Sequence, residues 1–241
     1  MYKKKNKYAG DNIKMEKGSW SFNKNVAKNF DKHINKSVPL YSEGHNLILE
    51  YSDFFLNEKS LCYDIGCSTG SLLNLFGKKF YNKNIKFIGI ENEKHMFIKA
   101  KEKVKKYKNI SIRHCNINNI KLKKSDLIIS YYTMQFIQPK IRQDLFNKIY
   151  DSLNWGGALI LFEKVRSPDA RFQDINNQIY NEFKLNNGYS PDEIINKSLS
   201  LKGVLEPFSY KGNIDLLTRS GFKDITTILK FISFEGFLVI K

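Results

Sequence analysis

The chain has 241 residues, 41% hydrophobic and 14% aromatic, enough apolar surface for a substantial single-domain core and too much for a disordered chain. Apolar runs such as Ala158-Leu159-Ile160-Leu161-Phe162 fall well short of the ~20 residues a bilayer span needs, and the polar, Lys-rich start resembles no signal peptide. The net charge of +16 comes from 40 Lys and Arg against 24 Asp and Glu, but only Arg113, Arg142, Arg166, Arg171 and Arg219 are arginines, so nucleic acid is a weakly supported partner.

Residues 1–18 are expected to be a disordered N-terminus, leaving 19–241 as one domain. Apolar positions recur at helical spacing over 22–34 (Val26, Phe30, Ile34) and 42–56 (Leu47, Tyr51, Phe54, Phe55), with Pro39 between them. The period then changes. Strand-like runs at 61–65, 85–90, 110–113, 126–131 and 158–163 alternate with helical stretches at 71–76, 92–107 and 140–153. That alternation predicts an α/β fold whose mostly parallel sheet carries helices on both faces. Residues 168–205 read as a helical insert without strands, and 221–231 with 233–240 as a closing antiparallel hairpin, making seven strands. Trp155-Gly156-Gly157 reads as a turn before strand five.

The chemistry concentrates in Asp64-Ile65-Gly66-Cys67-Ser68-Thr69-Gly70. A strand that runs through such a turn into a helix lets the backbone approach a ligand at Gly66 and Gly70. Glu91, after the second strand, suits ribose hydroxyls. Ser68 stands where a dinucleotide site prefers glycine, and Asp64 repels phosphate but suits an ammonium group. The pattern therefore favours S-adenosylmethionine (SAM) over NAD, with a dehydrogenase as an outside alternative. Asn116 is either an adenine contact, with the Ile117 amide beside it, or a plain turn residue. Tyr131 and Tyr132 are either site residues or core aromatics, and Cys67 is expected to present its backbone rather than its sulfur. Cys62, Cys67 and Cys115 lack metal-ligand spacing and read as reduced thiols of a cytoplasmic protein. His33, His45, His95 and His114 form no ligand pair, so no metal is expected.

Beyond this turn, Trp20-Ser21-Phe22, Ser37-Val38-Pro39-Leu40-Tyr41-Ser42, Thr133-Met134-Gln135-Phe136, Leu153-Asn154-Trp155-Gly156-Gly157, Glu163-Lys164 and Asn187-Gly188-Tyr189-Ser190 resemble the carboxy-S-adenosylmethionine synthase family. The resemblance runs in order from Trp20 onward. It implies the Rossmann-like seven-stranded class I methyltransferase fold, a homodimer, and carboxyl transfer from prephenate to SAM for modification of a tRNA wobble uridine. Carried over, Tyr41, Gly66, Cys67, Ser68, Glu91, Asn92, Asn116 and Ile117 hold the nucleoside and methionine parts.

Three departures stand out. Asn116 replaces an Asp, Tyr131 replaces an Asn, and Ser198 stands where the family has the Arg that grips the carboxylate of carboxy-SAM. A hydroxyl cannot replace a bidentate guanidinium, and such a loss costs on the order of 1.5–3 kcal/mol per charged hydrogen bond. Arg166 or Arg171 could supply the charge. Because of Ser198 and Tyr131, the sequence favours methyl transfer from ordinary SAM to an unidentified acceptor, a small molecule in the first instance. Carboxy-SAM synthesis is the alternative, and a non-catalytic SAM-binding regulatory subunit a second one. Tyr41, Tyr132, Glu163 and Tyr189 are candidates for the acceptor wall. No catalytic base is identified.

Overall fold

The computed structural model describes residues 8–241. The strand-like runs form β1 (Leu61–Ile65), β2 (Lys86–Glu91), β3 (Ile110–His114), β4 (Ser125–Tyr131), β5 (Leu153–Lys164), β6 (Asp224–Phe231) and β7 (Phe234–Ile240). The helices are α1 (Lys24–Ser37), α2 (Tyr41–Ser52), α3 (Ser71–Lys79), α4 (Lys94–Val104), α5 (Pro139–Ser152), α6 (Ala170–Asn186), α7 (Pro191–Ser200) and α8 (Tyr210–Arg219). None is long and apolar enough to cross a membrane, among the described residues.

One seven-stranded sheet has the order β3-β2-β1-β4-β5-β7-β6. β1 pairs in parallel with β2 and β4, β2 with β3, and β4 with β5, while β7 runs antiparallel to both β5 and β6. Both faces are covered. Leu127, Ile129, Ile160 and Phe162 enter one apolar layer, whereas Ile128, Leu159 and Leu161 enter the other. Burial on two faces explains why these strands read as continuous apolar runs rather than alternating ones. The chain order reverses between β1 and β4, so the crevice at their carboxyl ends is where a ligand belongs in such a sheet.

Three features depart from the sequence expectations. Ala9, Ile13 and Met15 are buried against Val26, Phe30 and Met96, so residues 8–18 are part of the fold and only residues 1–7 of that expectation lie outside the described residues. α8 was not anticipated, because Lys211, Gly212 and Asn213 mask its apolar face; Ser209 caps it by accepting from the Gly212 amide at 3.0 Å. β5 begins at Leu153. The turn expected around Trp155 survives inside it as an excursion with Gly156 at φ +74°, and the pairing jumps from Ser125–Leu153 to Leu127–Ala158.

The N-terminal helices dock on the sheet through Tyr131. Its hydroxyl donates to the Tyr41 carbonyl at 2.6 Å, and its ring meets those of Tyr41, His45 and Phe162. Gly44 makes room for this contact: a Cβ there would fall 2.3 Å from the Tyr131 hydroxyl oxygen. Helix propensity alone favours alanine at such a site, but overpacking of a stiff buried ring costs about 1–3 kcal/mol. Gly44→Ala should therefore lower stability in urea unfolding. Adding Tyr131→Phe should recover part of the loss, since the nearest remaining ring carbon lies at 3.1 Å.

Candidate active site

At the end of β1 the chain enters α3 through a turn with Gly66, Ser68 and Gly70 at φ +73°, +53° and +76°. The Gly66 and Cys67 amides both donate to the Ile90 carbonyl, at 2.8 and 3.1 Å, which ties the turn to β2. A Cβ on Gly66 would fall 2.3 Å from Thr133 Oγ1, so only glycine fits. Glu91 Oε2 accepts from the Ser68 amide at 2.7 Å and Oε1 from the Glu93 amide at 2.8 Å. Asp64 is buried close by. Neither carboxylate has a cation in ion-pair range among the described residues.

Burial lifts Asp64 to about 7, with the Glu91 charge adding to the shift. Burial also lifts Glu91 to about 7, against the amide donors of Glu93 and Ser68. Both open on a cavity of about 910 Å³, together with Gly66, Cys67, Ser68 and Asn92. Two buried carboxylates without counter-cations, beside a turn that a side chain would fill, fit the ammonium, sulfonium and ribose groups of SAM.

The sequence-derived candidates divide. Asn116 and Ile117 reach the cavity, but Asn116 is also a turn residue: its Oδ1 accepts from the Asn118 amide at 2.9 Å. Lys148 Nζ holds that turn from behind, donating to the Ile117 and Asn118 carbonyls at 3.1 and 2.9 Å. Burial pushes the Cys67 thiol well up, which keeps the sulfur protonated and unreactive. Tyr41, Tyr131 and Tyr132 line the cavity, as do Arg166 and Ser198. The Tyr132 hydroxyl is buried with no hydrogen-bond partner among the described residues, and its backbone sits at φ +57°, a strained conformation for a tyrosine.

Other candidates do not reach the wall. Gly70 caps α3, where a Cβ would press on Ala100. Glu163 is fully buried and turned inward, its Oε1 accepting from the Met134 amide at 3.0 Å; burial lifts it to about 8 although Arg142 opposes the shift. Tyr189 turns toward His33. Arg171 lies over the Phe172 ring and supplies no charge to the site.

Sequence reasoning missed the opposite wall. α6 sends Gln173, Asn177, Tyr180, Asn181 and Lys184 to the cavity, a polar row at helical spacing that could have been found by tracking polar as well as apolar periodicity. Lys164 and Lys184 place their ammonium groups 4.4 and 4.3 Å from the centre of the Tyr180 ring, a cation–π arrangement. Burial and their mutual repulsion bring Lys184 down to about 8; burial and the Lys202 charge do the same for Lys164. Lys197, from α7, is buried at the same wall. None of the three forms an ion pair with a carboxylate among the described residues. Asp31 of α1 closes the near side. It accepts from Thr69 Oγ1 at 2.5 Å, Lys103 Nζ at 2.6 Å and Ser71 Oγ at 3.1 Å, clamping α1 on the turn.

Comparisons with known proteins agree with this geometry. Residues 63–157 match the family described as "Methyltransferase domain". The chain is 38% identical over 223 residues to a carboxy-S-adenosyl-L-methionine synthase of Staphylococcus epidermidis, covering 92% of this chain and 97% of that protein. It is 36% identical over 233 residues to one of Trichodesmium erythraeum, covering 94% and 92%. Among solved structures, a putative SAM-dependent methyltransferase of Methanococcus maripaludis superposes with TM-score 0.61 at 20% identity, over 94% of this chain and 97% of that one. A putative O-methyltransferase of Nostoc punctiforme gives TM-score 0.63 at 15% identity, over 90% and 59%. These structures share the class I methyltransferase fold, and the chain is a SAM-dependent transferase.

The two carboxylates give a pH test. Their folded pKa values of about 7 lie above the ordinary 3.8 and 4.5, so the ligand-free fold carries extra protons between those limits and is destabilised as pH rises through them. A cationic ligand favours the ionised forms. SAM affinity should therefore rise from pH 6 to pH 8 by about tenfold for each carboxylate that ionises on binding, with proton release visible in calorimetry across buffers of different ionisation enthalpy. Asp64→Asn should weaken binding and flatten the dependence.

Proposed function

The chain belongs to the carboxy-S-adenosyl-L-methionine synthase family, and from that premise we propose that it transfers a carboxyl group from an anionic donor, prephenate by the resemblance, to the methyl carbon of SAM: the donor's carbon–carboxylate bond breaks as the new carbon–carbon bond forms, and the donor's ring hydroxyl leaves with a methyl proton as water, which makes its ring aromatic. The observation that carries this reading is the wall of Lys164, Lys184 and Lys197, three amino groups without carboxylate partners among the described residues, facing the same cavity as Asp64 and Glu91. Like charges held out of water repel one another, and an anion entering between them relieves that repulsion while satisfying their donors. The carboxylates hold the cationic co-substrate, the ammonium groups hold the anionic one, and the cavity between them aligns the two.

Ser198 weighs less here than it does in the sequence. Lys197, its neighbour on α7, already brings an amino group to the cavity; burial and the Lys184 charge hold it well below the usual lysine range, and an anion entering there favours its protonated form. Methyl transfer from ordinary SAM remains the second reading, favoured by that missing guanidinium. Mass spectrometry after incubation with SAM and prephenate separates the readings. Carboxy-SAM should form only when prephenate is present, and Lys184→Met should raise the KM for prephenate by about tenfold, one lost charged contact. Formation of S-adenosylhomocysteine with an added acceptor, and no carboxy-SAM, would favour methyl transfer; SAM binding with no product would favour a regulatory subunit.

The same helix supports a homodimer. With its polar row turned to the cavity, α6 leaves Phe172, Ile175 and Ile179 exposed, and α7 adds Ile195 and Leu199. An apolar face of this kind on a helical insert suits a second copy of the chain. Light scattering should give a dimer for the native chain and a monomer for the Ile175→Lys, Ile179→Lys double variant. The three free cysteines favour a reducing compartment, in keeping with a cytoplasmic location.

A further inference from the structure

Lys197 is held by a chain of contacts that the reaction so far leaves unused. Its Nζ lies 2.8 Å from His33 Nε2, and His33 Nδ1 lies 2.9 Å from Asp11 Oδ2. The tautomer follows from the partners. A carboxylate only accepts, so Nδ1 carries the hydrogen and donates to Asp11, leaving Nε2 with the lone pair that accepts from Lys197. Burial first, and then the Lys197 charge, keep His33 down at about 3 despite Asp11, so the imidazole is neutral at every pH of interest. The ring cannot turn. Trp20 stacks on it at 5.7 Å, the Tyr189 hydroxyl donates to the His33 carbonyl at 3.4 Å, and Lys36 Nζ reaches Asp11 Oδ1 at 3.4 Å.

From this geometry we infer that Asp11 and His33 are positioning residues that aim the Lys197 amino group at the cavity, where its protonated form grips the anionic co-substrate in place of the guanidinium missing at Ser198. The inference rests on the carboxyl-transfer reading for the identity of the anion. A lysine is a flexible point charge and an arginine a rigid fork, so a lysine can take over directional work only if something else fixes it. One of its three donors is committed to His33, which sets the direction of the other two. Asp11 fixes the His33 tautomer, as the carboxylate does in other Asp–His pairs. The segment carrying Asp11 is thereby part of the site from outside it.

The test is a kinetic cycle with prephenate as the probe. His33→Leu should raise the KM for prephenate about tenfold while leaving kcat and the Kd for SAM nearly unchanged. His33→Gln, whose amide oxygen can accept from Lys197, should restore most of the affinity. Lys197→Met should show a loss of the same kind, and His33→Leu added to Lys197→Met should cost nothing more, because His33 acts only through Lys197. Should His33→Leu fail to fold, judged by thermal unfolding and SAM binding, Asp11→Asn stands in and should also raise the KM. An unchanged prephenate KM in the folded variants, or additive losses in the double variant, overturns the inference. The carboxyl-transfer reading fails separately: if the native protein binds prephenate in calorimetry without turnover, the same variants are read by Kd, and loss of binding in His33→Leu supports the positioning role while no loss overturns it. A native protein that binds no prephenate overturns both.

Discussion

Asp64 and Glu91 are kept out of water at the ends of β1 and β2 with no cation beside them among the described residues, and three ammonium groups are kept at the facing wall with no anion. Charges of one sign normally recruit the other when buried. Here five ionisable groups share one cavity, burial pushing both carboxylates up and all three lysines down toward their neutral forms, and no ion pair joins the two sets among the described residues. The arrangement keeps each set's electrostatic demand unmet until ligands arrive. Neighbouring groups offset part of that cost: the Ser68 and Glu93 amides hold Glu91, and the Tyr180 ring lies against the ammonium ends of Lys164 and Lys184. A site that stores two opposite demands is suited to two co-substrates of opposite charge.

How much of this could be read from the sequence depended on what each segment buries. β1, β4 and β5 were legible because strands covered on both faces carry long apolar runs, β3 because Ile110 and Ile112 alternate with polar residues on an edge strand, and the turn at Gly66 because its glycines answer a backbone demand. α8 was not, since its three apolar residues follow a Gly-Asn start and its stability comes from packing rather than propensity. The buried segment 8–18 was hidden for a similar reason: Ala9, Ile13 and Met15 are separated by glycine, lysine and asparagine. The ammonium wall was the hardest to see. In a chain of +16 every lysine looks like surface, and only tertiary structure distinguishes Lys184 and Lys197 from the rest.

Tyr131 and Ser198 carry different meanings once they are placed. Tyr131 spends its hydroxyl on the Tyr41 carbonyl and its ring on an aromatic cluster, so its first effect is to dock α2 over the cavity. An Asn at that position could not fill the same volume, and Gly44 matches the substitution by leaving space for the hydroxyl. The departure from the family pattern is thus compensated within the fold. At Ser198 the loss of a guanidinium coincides with a neighbouring lysine that already has a fixed partner. Each change that seemed to argue against the family reaction has a structural counterpart elsewhere in the chain.

Both counterparts lead back to the N-terminal helices. α1 carries Asp31 to the cofactor turn through Thr69, Ser71 and Lys103, and two residues later carries His33 to Lys197 on the far wall. Two positions apart on a helix are about 200° apart around its axis, so the same helix clamps one wall with one face and the other wall with the opposite face. Asp31 keeps its charge although burial works against it, because the hydrogen bonds from Lys103, Thr69 and Ser71 outweigh that burial. α1 therefore sets the separation between the carboxylate wall and the ammonium wall. A shift of this helix changes the spacing of the two walls, which makes the N-terminal part of the chain a component of the site's geometry rather than a cover laid over it.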